Sequence, residues 1–215
     1  MTYLNIMNNV LRRLREEEVS TVNVSTYSKM AGDFINDAKT IVEQAADWSA
    51  LRTTISIATV ADDNLYSLTD CGDDVKVMSA LNDTQNCFLG YQTKDWFNDS
   101  IYIADEVSGA PKYYTYNGLD SNGDTQVLLS PKPDGVYNLR FDVIKRQADL
   151  TSDSTELLVP AKPVIHLALA LLARERGETG GTSTAEYFAA AEQYLSDAIA
   201  IDAAKHPEEM VFRTI

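Results

Sequence analysis

The sequence predicts an α+β protein: a four-helix bundle, built from two N-terminal and two C-terminal helices, with an inserted antiparallel β module. Three observations predict it. Both ends of the chain repeat apolar residues at three- and four-residue steps, the period of an amphipathic helix. The middle, from Arg52 onward, switches to a period of two between turn signals, as strands do. Finally, residues 163–176 include the run Val164-Ile165-His166-Leu167-Ala168-Leu169-Ala170-Leu171-Leu172-Ala173, apolar almost all the way round. A helix without a polar face needs protein or lipid on every side. Lipid is excluded because a span takes about 20 apolar residues and Arg174-Glu175-Arg176 cuts the run short. The stretch therefore reads as the central helix of the bundle.

Taken in order, the first helix covers residues 3–17, with Leu4, Met7, Leu11 and Leu14 on one face. Its Arg12-Arg13-Leu14-Arg15-Glu16-Glu17-Glu18 end reads as a solvated charged face. Residues 19–24 form a linker. The second helix covers residues 28–48, its stripe made of Phe34, Ala38, Ile41, Ala45 and Trp48 with Ile35 and Val42 beside it, and it pairs antiparallel with the first. Short strands follow at 53–59, 66–68, 75–81, 87–91, 101–104, 113–116, 125–129 and 137–143, with one helical turn capped by Thr93. They suit an antiparallel sheet or a small barrel. Pro163 fits the first turn of the central helix, and Gly177 or the Gly180-Gly181 pair can end it. Ser183-Thr184-Ala185-Glu186 has the spacing of a capping box. The last helix then carries Tyr187, Ala191, Tyr194, Leu195, Ala198 and Ile201 as its stripe until Pro207. The organisation is thus 1–51, N-terminal helix pair; 52–150, β module; 151–206, C-terminal helix pair; 207–215, C-terminal arm. The bundle core is expected at Phe34, Ile41, Trp48, Leu167, Leu171, Tyr194 and Leu195.

The composition, 45% apolar and 23% charged in 215 residues, is that of a globular chain. The N-terminus runs straight into a helix, so no signal peptide is expected. The net charge is −14, and residues 61–134 hold thirteen acidic residues against four basic ones. Such a surface repels phosphate and anionic headgroups and lacks the basic patches with which a nucleic-acid binder displaces counterions. Solubility is the plain reading of the charge.

Catalytic constellations are missing. Asp120-Ser121-Asn122-Gly123-Asp124 opens like a calcium loop, but Thr125 stands where glycine is required and Pro131 where the bidentate glutamate belongs. Asn122-Gly123 reads instead as a hairpin turn. His166 sits in the apolar run and His206 at a helix end, neither beside a nucleophile motif. There is no phosphate loop, dinucleotide fingerprint or zinc spacing. Cys71 and Cys87 match no metal or redox spacing and read as free thiols, with a pairing left open. The tyrosines Tyr113, Tyr114 and Tyr116 read as a strand that is half core and half surface. No enzyme, cofactor or metal is expected.

Four stretches carry a resemblance: Trp48-Ser49-Ala50-Leu51-Arg52, Asn122-Gly123-Asp124-Thr125-Gln126, Pro131-Lys132-Pro133-Asp134-Gly135-Val136-Tyr137 and Ala173-Arg174-Glu175-Arg176-Gly177-Glu178. Over nearly its whole length the chain resembles the head-to-tail adaptor (connector, tail tubular A-type) proteins of tailed bacteriophages. The resemblance implies a virion protein of the head-tail interface, made in the host cytoplasm. Its partners would be the portal protein, a tail nozzle or tail-tube protein, and further copies of itself in a ring, usually a dodecamer. DNA would pass through without specific binding, and no membrane is involved. It also implies that the C-terminal arm reaches the portal. The arm's Met210, Val211, Phe212 and Ile215 are apolar at a chain end and are the expected portal-binding residues. A competing reading is a β-module binding protein of the virion that recognises a glycan or another tail component; a third is an unrecognised hydrolase.

Overall fold

The structure, a computed structural model, describes residues 1–99, 107–177 and 182–205. Contacts divide the chain into two compact units, residues 1–50 with 147–215, and residues 51–146.

The helical unit contains α1 (Tyr3–Arg13), α2 (Thr26–Gln44), α4 (Ala161–Glu175) and α5 (Thr182–Ala203). Helix α1 is shorter than its charge pattern suggests. Arg15 takes the left-handed conformation (φ 59°). The Glu16 amide then donates to Leu11 O at 3.0 Å and the Arg15 amide to Arg12 O at 3.1 Å, a Schellman stop. Helix α2 starts at a capping box in which the Ser25 and Ser28 hydroxyls each accept the other's amide at 3.0 Å. Gly32 lets α1 approach closely, because a Cβ there would overlap the Tyr3 hydroxyl. Helix α4 has Pro163 in its first turn and stops at Gly177 (φ 73°). Helix α5 already includes Ser183 in its first turn, so the capping box expected from Ser183 does not mark its start.

This unit is not the expected four-helix bundle. A wall of such a bundle has one apolar stripe and a wet outer face. Helix α4 has no wet face: Pro163, Val164, Ile165 and every residue of 168–173 are buried. It occupies the place of the core itself, and α1, α2 and α5 each pack on it.

The other unit holds β1 (Arg52–Ala58), β2 (Leu65–Ser67), β3 (Val75–Asn82), β4 (Cys87–Phe88), β5 (Gly90–Tyr91), α3 (Lys94–Phe97), β6 (Tyr113–Leu119), β7 (Thr125–Ser130) and β8 (Asn138–Lys145). These strands build two four-stranded sheets, β1-β8-β3-β4 and β2-β7-β6-β5, rather than one antiparallel module. The second sheet is mixed, since β5 runs parallel to β6. A parallel pair needs a crossover, and here the crossover carries α3, whose Thr93 Oγ1 accepts the Trp96 amide at 3.3 Å. The strand expected at 87–91 is split: at buried Leu89 the chain leaves the first sheet and joins the second, as the Leu89 amide bonds Ala80 O and the Gly90 amide bonds Lys112 O. The strand expected at 101–104 lies outside the described residues. One core unites the two sheets, drawing Ala80, Leu139, Phe141 and Val143 from the first and Tyr66, Tyr114, Val127 and Leu129 from the second.

Candidate assembly surface

Two polar clamps position the helical unit before any surface can be considered. The first amides of α1 lack a side-chain cap. They are met from far along the chain: Tyr3 N donates to Thr155 O at 2.8 Å and Leu4 N to Asp153 O at 3.2 Å. Next, α2 grips the backbone of residues 147–150. Asn36 exchanges two hydrogen bonds with Leu150, at 2.9 and 3.2 Å. The Lys39 ammonium, fully buried, donates to Gln147 O at 2.6 Å and Ala148 O at 3.0 Å and lies 3.5 Å from the Asp149 carboxylate. A buried ammonium is tolerated only when its donors are occupied, so Lys39 fixes where the C-terminal half of the unit re-enters.

Helix α5 lies antiparallel to α4. Near one end Arg174 sits over the Phe188 ring at 5.8 Å, and near the other Lys162 sits over Tyr194 at 5.7 Å. The His166 ring stacks on Tyr194 at 4.4 Å, while Arg13 Nη1 lies 3.2 Å from its Nε2. Burial first, then the Arg13 and Lys162 cations, hold the His166 imidazole below its usual pKa. A guanidinium only donates, so Nε2 accepts and the proton of the neutral ring sits on Nδ1. At the far end of α5, Asp202 accepts the Ser49 amide at 2.8 Å, the Ser49 hydroxyl at 2.6 Å and Lys205 Nζ at 2.8 Å. Burial opposes its charge, yet the Lys205 and Ser49 bonds keep the carboxyl below the usual aspartate range.

The expected core residues occupy different depths. Trp48 is buried, its indole Nε1 donating to Val42 O at 2.7 Å, and Leu171 is buried on α4. Phe34, Leu167, Tyr194 and Leu195 are half-buried. Ile41 is 46% exposed, which corrects its place in the core: the buried face of α2 runs through Ala31, Ile35, Ala38 and Val42, one position round the helix from the drawn stripe. The α5 stripe follows its expected line through Ala191, Tyr194, Leu195 and Ala198, then fails at Ile201, which is 68% exposed. The arm residues Met210, Val211, Phe212 and Ile215 lie outside the described residues. Sequence reasoning missed Asn36, Lys39 and Asp202. Of these only Lys39 left a signal, as a lysine flanked by the apolar positions 35, 38 and 42.

In the β unit the calcium-like segment is a hairpin turn between β6 and β7. Asp120 Oδ1 accepts the Asn122 and Asp124 amides at 2.8 and 2.9 Å, and Asp124 accepts the Asp70 and Gly72 amides at 3.0 and 2.8 Å. Backbone hydrogen bonds thus hold the Asp120 carboxyl below its usual range. Cys71 is buried in the sheet core, and both cysteines are free. Among the described residues no cluster of three or more His, Cys, Asp or Glu side chains could hold a metal ion. Nor is any described helix long and apolar enough to cross a membrane. What the helical unit offers is an apolar seam that ends uncovered beside the root of the tail.

No curated protein matches the chain. The sequence pattern described as SU10 adaptor protein matches residues 1–210, nearly the whole chain and both structural units. The chain therefore belongs to the SU10 adaptor protein family, a family of bacteriophage adaptors.

Proposed function

We propose that the protein is a structural virion component that joins the portal to the tail. Copies of the chain form a ring, of twelve subunits in the reading drawn from the resemblance, that sits beneath the portal and extends the DNA channel toward the tail nozzle or tail tube. The family match over residues 1–210 carries this reading. The rigid anchoring of three helices on α4 supports it, because a ring subunit must transmit load without unfolding. The charge supports it as well: a net charge of −14 repels phosphate and keeps DNA moving past the subunit without sticking. The role is mechanical, and no reaction is assigned.

The arm, residues 207–215, is the portal anchor in this proposal. Pro207 stops α5 from carrying the arm on in register, and Met210, Val211, Phe212 and Ile215 supply apolar side chains for a cleft on the portal. Fixing each backbone residue opposes docking by about 1–2 kcal/mol, while burying each large apolar side chain favours it by about 1.5–3 kcal/mol. A single arm is thus close to balance, and repetition around a ring makes attachment firm through avidity. The test is deletion of residues 207–215. The truncated chain is expected to keep its circular dichroism and to fail to join DNA-filled heads. Undiminished joining would overturn the anchor role. Electron microscopy of chain plus portal tests the ring: closed rings on the portal support it, and scattered monomers overturn it.

A further inference from the structure

Beside the start of α4 and the end of α5 lies an open groove of about 400 Å³, mostly apolar, with Pro160, Pro163, Tyr194, Ala198 and Ile201 among its walls. It is where the α5 seam opens, since Ile201 on its wall is 68% exposed. We infer that this groove is the resting seat of the chain's own tail, residues 206–215, in the free subunit.

Position is the first argument. Lys205, a lining residue, is the last described residue before the tail, so the tail begins at the groove's edge. Length is the second. The lining part of α5 runs from Tyr194 to Asp202, about 12 Å of helix at 1.5 Å per residue. Ten residues of extended chain reach at most about 33–36 Å, enough to turn back and cover the whole lining. Composition is the third. Pro207 keeps the helix from continuing into the tail; Met210, Val211 and Phe212 follow within the reach needed for Ile201, Ala198 and Tyr194. The groove's Lys162 and Asp197 can pair with Glu208 or Glu209 and with Arg213. Tethering selects the occupant: a segment attached at the groove's edge has an effective concentration on the order of millimolar, well above that of a second copy in dilute solution.

The same apolar residues cannot fill this groove and a portal cleft at once. The groove therefore keeps the arm folded on its own subunit until a portal displaces it. Seating of the arm is a property of the isolated chain, and it stands or falls separately from the anchor role, which is read on DNA-filled heads.

The test introduces Ile201→Cys, and in a second variant Asp197→Cys, into the full chain and into a chain lacking residues 206–215. Maleimide labelling is followed by peptide mass, so that Cys87 does not interfere. The new thiols are expected to label about tenfold more slowly in the full chain, as a covered site opens only part of the time. Phe212→Ala should restore most of the rate, and protection should not change with protein concentration. Equal rates in full and truncated chains would overturn the proposal. Protection that fades on dilution would overturn it too, by assigning the seated arm to a second copy.

Discussion

Helices α4 and α5 lie side by side and come from similar apolar compositions, yet they do opposite work. Helix α4 is buried on almost every side and has three helices packed on it. Helix α5 is longer, 22 residues against 15, but among its residues with described side chains only Thr184 and Ala191 are buried. Its seam against α4 is shallow, and its last apolar residue is open. The difference teaches that stability and availability are divided within one unit. Helix α4 holds the fold together, and α5 keeps apolar surface free where the tail departs. Contiguous apolar surface of this kind marks interaction sites, and here it is the groove inferred to seat the arm.

Substitutions in the helical unit test this division between α4 and α5. Leu172→Ala empties a fully buried position of α4 and should cost about 2–5 kcal/mol. Leu195→Ala on half-buried α5 should cost less than about 2 kcal/mol. Urea midpoints decide, and equal losses would break the contrast. Arg176→Ala comes next. Arg176 closes α4 by bonding Glu16 at 2.5 Å and lying 5.0 Å over the Tyr27 ring; its removal should cost about 1–2 kcal/mol by the same measurement. Arg15→Gly gives α1 the residue that α4 has in Gly177. It relieves a left-handed non-glycine and should stabilise by about 1 kcal/mol, seen as a higher melting temperature. Ile201→Asp on open α5 should change stability by no more than about 0.5 kcal/mol while weakening arm seating in the labelling assay.

The smallest effect is a pH slope. His166 joins α4 to α5 through Tyr194, and its folded pKa is depressed below 6.5. The unfolded chain therefore takes up the proton first as pH falls. The neutral ring's contribution is complete above the unfolded pKa and is lost as pH drops below it. Stability should decline as pH falls below the ordinary histidine value of 6.5, and His166→Gln should flatten that slope. A slope unchanged in the variant would assign the decline to other groups.

Much of the fold was legible because it is local. The change from helical period to alternation at Arg52 coincides with the start of β1, since side-chain periodicity follows directly from backbone geometry. The Thr93 cap and the hairpin at Asn122-Gly123 were readable for the same reason: each is closed by groups within a few residues of one another. The family was readable as a resemblance through four short stretches. The four-helix bundle was misread, because the apolar run showed that a helix would be surrounded by protein and not how many helices would pack on it.

What only the tertiary structure decided is everything closed by partners distant in sequence. The amides that start α1 are capped by Asp153 and Thr155, the backbone at 147–150 is gripped by Asn36 and Lys39, and Asp202 accepts the amide and the hydroxyl of Ser49. No period or motif encodes such pairs, because each satisfies a polar group whose burial exists only once the chain has folded. The split of residues 87–91 between two sheets has the same origin in its second half: Cys87 and Phe88 pair with the neighbouring β3, but Gly90 and Tyr91 pair with Tyr113 and Tyr114, more than 20 residues on. The sequence alone determined where helices and strands form and which faces are apolar. Packing on α4 decided which helix faces are buried and left the end of α5 open, and the core between the two sheets decided it for the strands.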